Sequence, residues 1–399
     1  MSPPRPPLQP ESTRPTSSRV RLLALAIVVV IVPLLLILLL EGLSGFAFLA
    51  RALRRGDPRL AMQNQRHAQY DSGLGWVSTP DFSVADMYGP GTGLHIDARG
   101  FRTGGKRNSP DALSGPLAVC SGDSFTFAPG VADDRTWCAL LESLVPGLTT
   151  VNMGQNGYGL DQVYLWYKRD GAKLAHDLQL LAYITHDFRR MQLSTGAGFA
   201  KPMLEIRNDS LVTTNTPIAP YEAYTRRFWT GVVVQSELRL VRLFHLLRDK
   251  VARRIRPASV SGDEAAQDSL TWMKARRIID DLAQINRAKG STLVLVHLPV
   301  NEDYWDEDAN LWRERMRAAA AEGAFEFVDL VDGLRRLPAD SAQQMFLGYG
   351  IPGYADGVGH YSVAGNAWVA EQLHRRLVEI PSFAGKLGRS KAGNESGSP

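Results

Sequence analysis

Apolar residues fall along this chain in two regimes. The first is one unbroken run over residues 22–40, nineteen residues without a charge and mostly Leu, Val and Ile. As a helix it rises roughly 28 Å, close to the ~30 Å hydrocarbon thickness of a bilayer. Pro33 lies inside the run, which a membrane helix tolerates better than a soluble one. The run exceeds the roughly 7–15 apolar residues of a signal peptide, and no clean small-residue cleavage site follows it. A membrane anchor is therefore expected, with a cleaved signal as the alternative. Arg5, Arg14, Arg19 and Arg21 precede the run and Arg51, Arg54, Arg55 and Arg59 follow it, so the basic residues nearly balance. With a short tail before it and a long body after it, the economical topology is a signal anchor with the body outside the cytoplasm.

The second regime begins at Leu117. Short apolar runs at 117–121, 149–153, 178–185, 291–297 and 325–330 are separated by stretches with apolar residues at helical spacing. That alternation predicts a parallel sheet covered by helices on both faces. The fold class is α/β, a three-layer doubly wound domain over 117–380, most simply with the flavodoxin-like strand order, preceded by one transmembrane helix. Helices are predicted over 137–144, capped by Asp133 or Asp134, over 270–289 and over 363–378. Right-handed crossovers put the C-terminal ends of the strands on one edge, where ligands collect.

Around this body, disordered tails are expected at 1–19 and 385–399, the anchor at 20–50, and a lead-in at 51–116 with extended pieces at 75–78 and 94–97. An insertion occupies about 190–262. Within it Leu238, Val241, Leu246, Val251 and Ile255 alternate with Arg239, Arg242, Arg248, Lys250, Arg253 and Arg254. This predicts a basic amphipathic helix that packs on the domain with its charges exposed, or else lies on anionic lipid.

Composition narrows the class of function. Forty-five basic against 41 acidic residues leave a net charge of +4 on 399 residues, which makes no case for nucleic acid as partner. Two cysteines form neither a disulfide framework nor a four-thiolate zinc site, and Cys120 and Cys138 are expected as buried free thiols. His176 with Asp177, His297, and the acidic run Glu302, Asp303, Asp306, Glu307 and Asp308 lack metal-ligand spacing and read as isolated polar positions and a solvated loop. With no Gly-rich phosphate loop either, no metal and no cofactor is expected.

Candidate chemistry collects at the strand ends. After the first strand come Gly122, Asp123 and Ser124: the glycine permits a tight turn, and Asp123 can hold the loop or cap a helix. Ser124 stands where the N–H of a helix start can shelter negative charge, although a capping serine fits the same pattern. After the second, Gly154 would let a backbone N–H approach an oxyanion as a second donor. After the third, His186 precedes Asp187 where a side-chain donor would be needed. Near the C-terminus Asp356 and His360 share a Gly-rich segment leading into the last helix. A serine hydroxyl is a poor nucleophile until an imidazole takes its proton, and the imidazole works better when a carboxylate fixes its tautomer.

Taken in order, these blocks resemble the SGNH or GDSL hydrolases, in particular membrane-anchored bacterial members whose catalytic domain lies outside the cytoplasm. The resemblance covers roughly residues 70–377. It rests on Gly73-Leu74-Gly75-Trp76, Gly100-Phe101-Arg102, Gly122-Asp123-Ser124-Phe125-Thr126-Phe127, the stretch from Asn152 to Gln162, and His360 to Asn366. It implies the SGNH hydrolase fold, Ser124 as nucleophile, His360 as general base assisted by Asp356, and an oxyanion hole from the N–H groups of Ser124 and Gly154 with the side chain at 186. The implied substrate is an acyl ester of an envelope or secreted glycan, hydrolysed or transferred to another hydroxyl. Two positions depart from the pattern: the third block offers His186 where an Asn is usual, and the usual acid position, three before the histidine, is Gly357. These departures keep open a dyad without a carboxylate, and a non-catalytic module that binds glycan or scaffolds an envelope assembly.

Overall fold

The computed structural model describes residues 18–54, 67–104, 115–196, 199–219, 244, 247, 262–348 and 357–385. The tails at 1–17 and 386–399, the basic segment at 236–256 apart from Phe244 and Leu247, and Asp356 lie outside the described residues. The chain divides into two units, residues 1–54 with 235–259, and residues 55–234 with 260–399.

In the first unit the apolar run is a continuous helix of three pieces, α-helical Ser18–Ala26, a π-helical turn Ile27–Ile31 and α-helical Val32–Arg54. The π turn ends two residues before Pro33. Pro33 has no N–H for the carbonyl four residues back and its ring crowds that carbonyl, and widening the preceding turn relieves both. Among the described residues Val20–Phe46 is the one helix long and apolar enough to cross a membrane, 27 residues whose most apolar 18-residue stretch has a mean hydropathy of 3.5.

The second unit is built on five strands: β1 (Leu117–Gly122), β2 (Thr149–Gly154), β3 (Leu178–Tyr183), β4 (Thr292–His297) and β5 (Glu326–Asp329). They pair in parallel in the order β2-β1-β3-β4-β5, the flavodoxin-like doubly wound arrangement. The three inner strands β1, β3 and β4 read as near-continuous apolar runs because both faces are covered, while the edge strands β2 and β5 carry polar residues. Val119, Leu181, Leu293 and Leu295 pack with Trp166, Ile278, Leu282, Trp312 and Met316 on one face. Ala118, Cys120, Leu180, Val294 and Val296 pack with Trp137, Leu141, Val369 and Leu373 on the other. Both cysteines are buried free thiols.

The helices in chain order are α1 (Ser124–Phe127), α2 (Trp137–Leu144), α3 (Leu160–Arg169), α4 (Thr185–Arg190), α5 (Gly262–Ala288), α6 (Asn310–Ala320), α7 (Val331–Arg335), α8 (Ala339–Gln344) and α9 (Val363–Leu377). Most boundaries of the sheet and its helices fall within a residue of those predicted, and three features differ by more. The third strand stops at Tyr183 and Thr185 opens α4, because the Asp187 carboxylate reaches back to accept from the Ile184 N–H at 3.1 Å and closes a helical turn. α5 starts at Gly262, earlier than its apolar spacing suggests. The cap of α2 is Thr136, whose hydroxyl accepts from the Ala139 N–H at 3.2 Å, and not Asp133 or Asp134. Asp133 is committed elsewhere, to Arg102 at 2.7 Å and His95 at 2.6 Å.

The lead-in runs along the free edge of β2, where the Arg102 N–H donates to the Asn152 carbonyl at 3.2 Å. This blunts an edge strand that would otherwise offer unpaired backbone. The Arg102 guanidinium is fully buried. It donates to the carbonyls of Phe127, Ala128 and Val131, each at 2.6 Å, and so satisfies the C-terminal end of α1 and the loop after it. Arg102→Met leaves these three carbonyls without this donor and the Asp133 carboxylate with His95 alone. The expected cost in a urea unfolding series is about 3–5 kcal/mol, and a loss below about 1 kcal/mol would refute this account.

His297, at the end of β4, is fully buried, stacked on Tyr183 at 4.8 Å and 3.2 Å from the Thr185 hydroxyl. Burial holds its pKa down to about 4. The unfolded chain takes up this proton below about pH 6.5 while the folded chain refuses it until about pH 4, so the contribution is whole above pH 6.5 and is lost as pH falls. Over that window the loss is roughly 3 kcal/mol. His297→Gln should flatten the decline in stability between pH 6.5 and 4.5 by about 2 kcal/mol relative to the parent chain, and an unchanged slope would exclude His297 as its source.

Candidate active site

The register of the sheet brings Gly122 opposite Gly154 and Tyr183 opposite His297, so the segments that follow β1, β2, β3 and β4 leave from one edge. Ser124 follows β1 directly. Asp123 is the cap of α1: its carboxylate accepts from the Phe125 N–H at 2.9 Å, and its other oxygen lies 3.4 Å from Ser124 Oγ. Asp123 therefore both caps the helix and holds the loop. The Ser124 N–H makes no hydrogen bond to another described residue. That leaves it available to a ligand oxygen.

Ser124 Oγ is 2.8 Å from His360 Nε2, a contact between residues 236 positions apart in sequence. With the imidazole proton on Nδ1, the hydroxyl donates to Nε2. His360 sits in the turn before α9. Its N–H donates to the Gly357 carbonyl at 3.1 Å and its carbonyl accepts from the Leu347 N–H at 2.7 Å. The ring lies against Phe125, centroids 4.9 Å apart. Just beyond it, fully buried Asn366 accepts from the Trp137 N–H at 3.0 Å and donates to the carbonyls of Tyr361 and Ser362, which ties the start of α9 to the start of α2.

The turn after β2 corrects the expectation for Gly154. Its N–H donates to the Asn152 side chain at 2.9 Å, so that amide is already engaged. The glycine is required for another reason: a Cβ there would lie 2.0 Å from the Phe127 nitrogen. Asn156 and Gly157 of this segment line the cavity, and Gly157 offers the free backbone donor. Its φ of +76° belongs to the left-handed region, and its N–H has no hydrogen-bond partner among the described residues. The lead-in motif holds this turn in place. Trp76 Nε1 donates to the Asn156 carbonyl at 2.8 Å, the Tyr158 hydroxyl donates to the Trp76 carbonyl, and Gln162 donates to the Leu74 carbonyl at 2.8 Å.

These elements surround a cavity of about 510 Å³ in which Ser124 and His360 lie. Its polar wall is Asn156, Gly157, His186, Arg190 and Glu302, and its apolar wall Phe125, Pro129, Ile184, Val300 and Val358. The volume suits a small ligand. His186 is half-buried on α4, and its pKa is pushed down by burial, with Arg190 and Arg189 adding to the effect. A neutral imidazole there has one N–H to donate.

Arg190 is the residue that sequence reasoning missed. Its guanidinium Nη1, with two N–H groups shared among three acceptors, lies 2.8 Å from Asp123, 2.7 Å from Asp187 and 3.0 Å from the Tyr158 carbonyl. Both carboxylates are fully buried, and burial together with the neighbouring Asp123 charge pushes the Asp187 carboxyl well up. The other polar candidates lie apart. His176 is bonded to the Leu174 carbonyl and the Tyr167 hydroxyl, each at 2.8 Å, and Asp177 accepts from the Leu117 N–H at 3.1 Å. Of the acidic run, Glu302 lines the cavity, while Asp303 is buried and its carboxyl is pushed up to about 6 by that burial. Among the described residues no group of three or more His, Cys, Asp or Glu could hold a metal ion.

No protein-family model and no curated protein matches this chain. Solved structures do. A member of the lipolytic protein G-D-S-L family from Veillonella parvula is 13% identical, over 67% of this chain and 98% of that one, with a TM-score of 0.37. An acetylxylan esterase from Geobacillus stearothermophilus, solved as a catalytic mutant, is 14% identical, over 66% and 94%, with a TM-score of 0.36. A lipase/acylhydrolase from Enterococcus faecalis is 10% identical, over 66% and 95%, with a TM-score of 0.35.

Proposed function

We propose that this chain is a serine ester hydrolase of the SGNH type, anchored by its N-terminal helix with the body outside the cytoplasm. The observation that carries the reading is the 2.8 Å contact between Ser124 Oγ and His360 Nε2 in a cavity open to ligand. In this reading His360 Nε2 takes the Ser124 proton as Oγ attacks the acyl carbonyl carbon. The negative charge that forms on the carbonyl oxygen is met by the N–H groups of Ser124 and Gly157 and by the His186 ring. The imidazolium returns the proton to the departing alkoxide and leaves an acyl group on Ser124. A water molecule, deprotonated by the same imidazole, then releases the acid. A sugar hydroxyl in place of the water would make the same site an O-acyl transferase. Asp356, four residues before His360, is the proposed partner of the imidazole.

An acyl ester of an envelope or secreted glycan suits a cavity lined by both polar and apolar residues on a chain anchored outside the cytoplasm. The contact between hydroxyl and imidazole weighs against the alternative of a non-catalytic glycan-binding or scaffolding module. Incubating the full chain in detergent micelles with an activated acetyl ester and a fluorophosphonate probe tests the proposal. Turnover and covalent labelling at Ser124 are expected. A folded sample that neither turns over nor labels would overturn it.

A further inference from the structure

Each of the three groups proposed to face the oxyanion has a sequence neighbour bonded to the same nitrogen atom. Asp123 precedes Ser124, Tyr158 follows Gly157 and Asp187 follows His186. Arg190 Nη1 shares its two N–H groups among the carboxylate of the first, the carbonyl of the second and the carboxylate of the third, at 2.8, 3.0 and 2.7 Å. These partners belong to the segments after β1, β2 and β3; the first two are also tied by the Gln155 N–H to the Gly122 carbonyl at 3.1 Å and by the Asn152 side chain to the Thr126 carbonyl at 2.8 Å, and Arg190 brings in the third. Asp123 is at the same time the cap of α1, so a shift of its carboxylate moves the Ser124 N–H.

From this juxtaposition we infer that Arg190 is a positioning residue that assembles the oxyanion hole, holding the Ser124, Gly157 and His186 donors in one geometry. The inference rests on the ester-hydrolase reading and deepens it. Donors aimed in advance at the developing charge act only if they are held within a fraction of an ångström, and the third segment does not hold to the other two at that tolerance without a shared partner. The requirement is for charge as well as for a donor. Two fully buried carboxylates meet at this point, and a neutral side chain would leave them facing each other uncompensated. Lys201 supports the same strut from behind: its buried ammonium donates to the Arg190 carbonyl at 2.9 Å and pairs with Asp161.

The test compares the full chain with Arg190→Met, Arg190→Lys and the double variant Arg190→Met/Asp187→Asn. The double variant removes one of the uncompensated carboxylates, so that folding survives where the single change impairs it. Turnover of an activated acetyl ester is measured per active site titrated with a fluorophosphonate, so that an unfolded fraction does not count. For Arg190→Met and for the double variant kcat is expected to fall about 10²–10³-fold, as for a lost oxyanion donor, with KM within about threefold. Affinity for a boronic acid that mimics the tetrahedral state should fall in parallel. Arg190→Lys, which keeps the charge but not the planar fork, should recover part of the loss. A melting temperature that falls while kcat per titrated site stays within about threefold would reduce Arg190 to a packing role and overturn the inference while the hydrolase reading stands. A parent chain without turnover or labelling overturns both.

Discussion

Ser124→Ala is expected to abolish turnover of an activated acetyl ester, by at least about 10⁴-fold, and to abolish fluorophosphonate labelling, while the fold is kept. The size follows from the proposed mechanism: without Oγ no acyl-enzyme forms, and the cavity is left only with binding and oxyanion stabilisation. The fold is spared because the Ser124 hydroxyl has no structural task. The α1 cap is the Asp123 carboxylate, and the hydroxyl's close partner is His360. Residual activity above about a hundredth of the parent would show that the reaction runs without this hydroxyl.

His360→Ala should cost as much in kcat, because a nucleophile and its base act as one unit and removing either removes the proton path. The two variants differ in one respect. His360→Ala opens a space beside Phe125, and added imidazole entering it should restore part of the rate, whereas Ser124→Ala should not respond. Equal indifference to imidazole in both would argue against proton transfer by this ring. Asp356→Asn separates triad from dyad on the same assay. If Asp356 orients the imidazole, kcat falls on the order of 10³–10⁴-fold, and a change within about threefold assigns the chemistry to Ser124 and His360 alone.

Much of this arrangement was legible in the sequence because its causes are local. A strand buried on both faces must be apolar along its whole length, so β1, β3 and β4 stand out as short runs, and residues 190–262 between β3 and β4 stand out as an insertion. The membrane-length helix is equally plain, since a bilayer demands an unbroken apolar run. Ser124 could be singled out because it follows a buried strand within a recognisable block, and His360 because it precedes the last helix within another.

What escaped the reading depends on where distant segments meet. Gly154 ends β2 and Gly157 lies in the turn that follows, and nothing local says which of the two amides is left without a partner. The choice is made by the Phe127 nitrogen pressing on Gly154 and by the Asn152 side chain occupying its amide. Arg102 was visible as part of a motif, but its task, closing the carbonyls of the loop after α1, follows only from the lead-in crossing the β2 edge. Arg190 gave no signal at all, because a basic residue at the end of a short helix looks like any solvated charge. Its partners lie 67, 32 and 3 residues away in sequence.

The sequence by itself thus determined the layers, the membrane-length helix, the edge of the sheet where chemistry belongs and the hydroxyl and imidazole that meet there. Periodicity and chain order carry that information directly. Only the tertiary structure decided which amide faces the cavity, which carboxylate caps and which is shared, and that one guanidinium joins three loops. These are questions of distance between residues that have no fixed separation along the chain, and they are answered only when the sheet brings the strand ends to one edge.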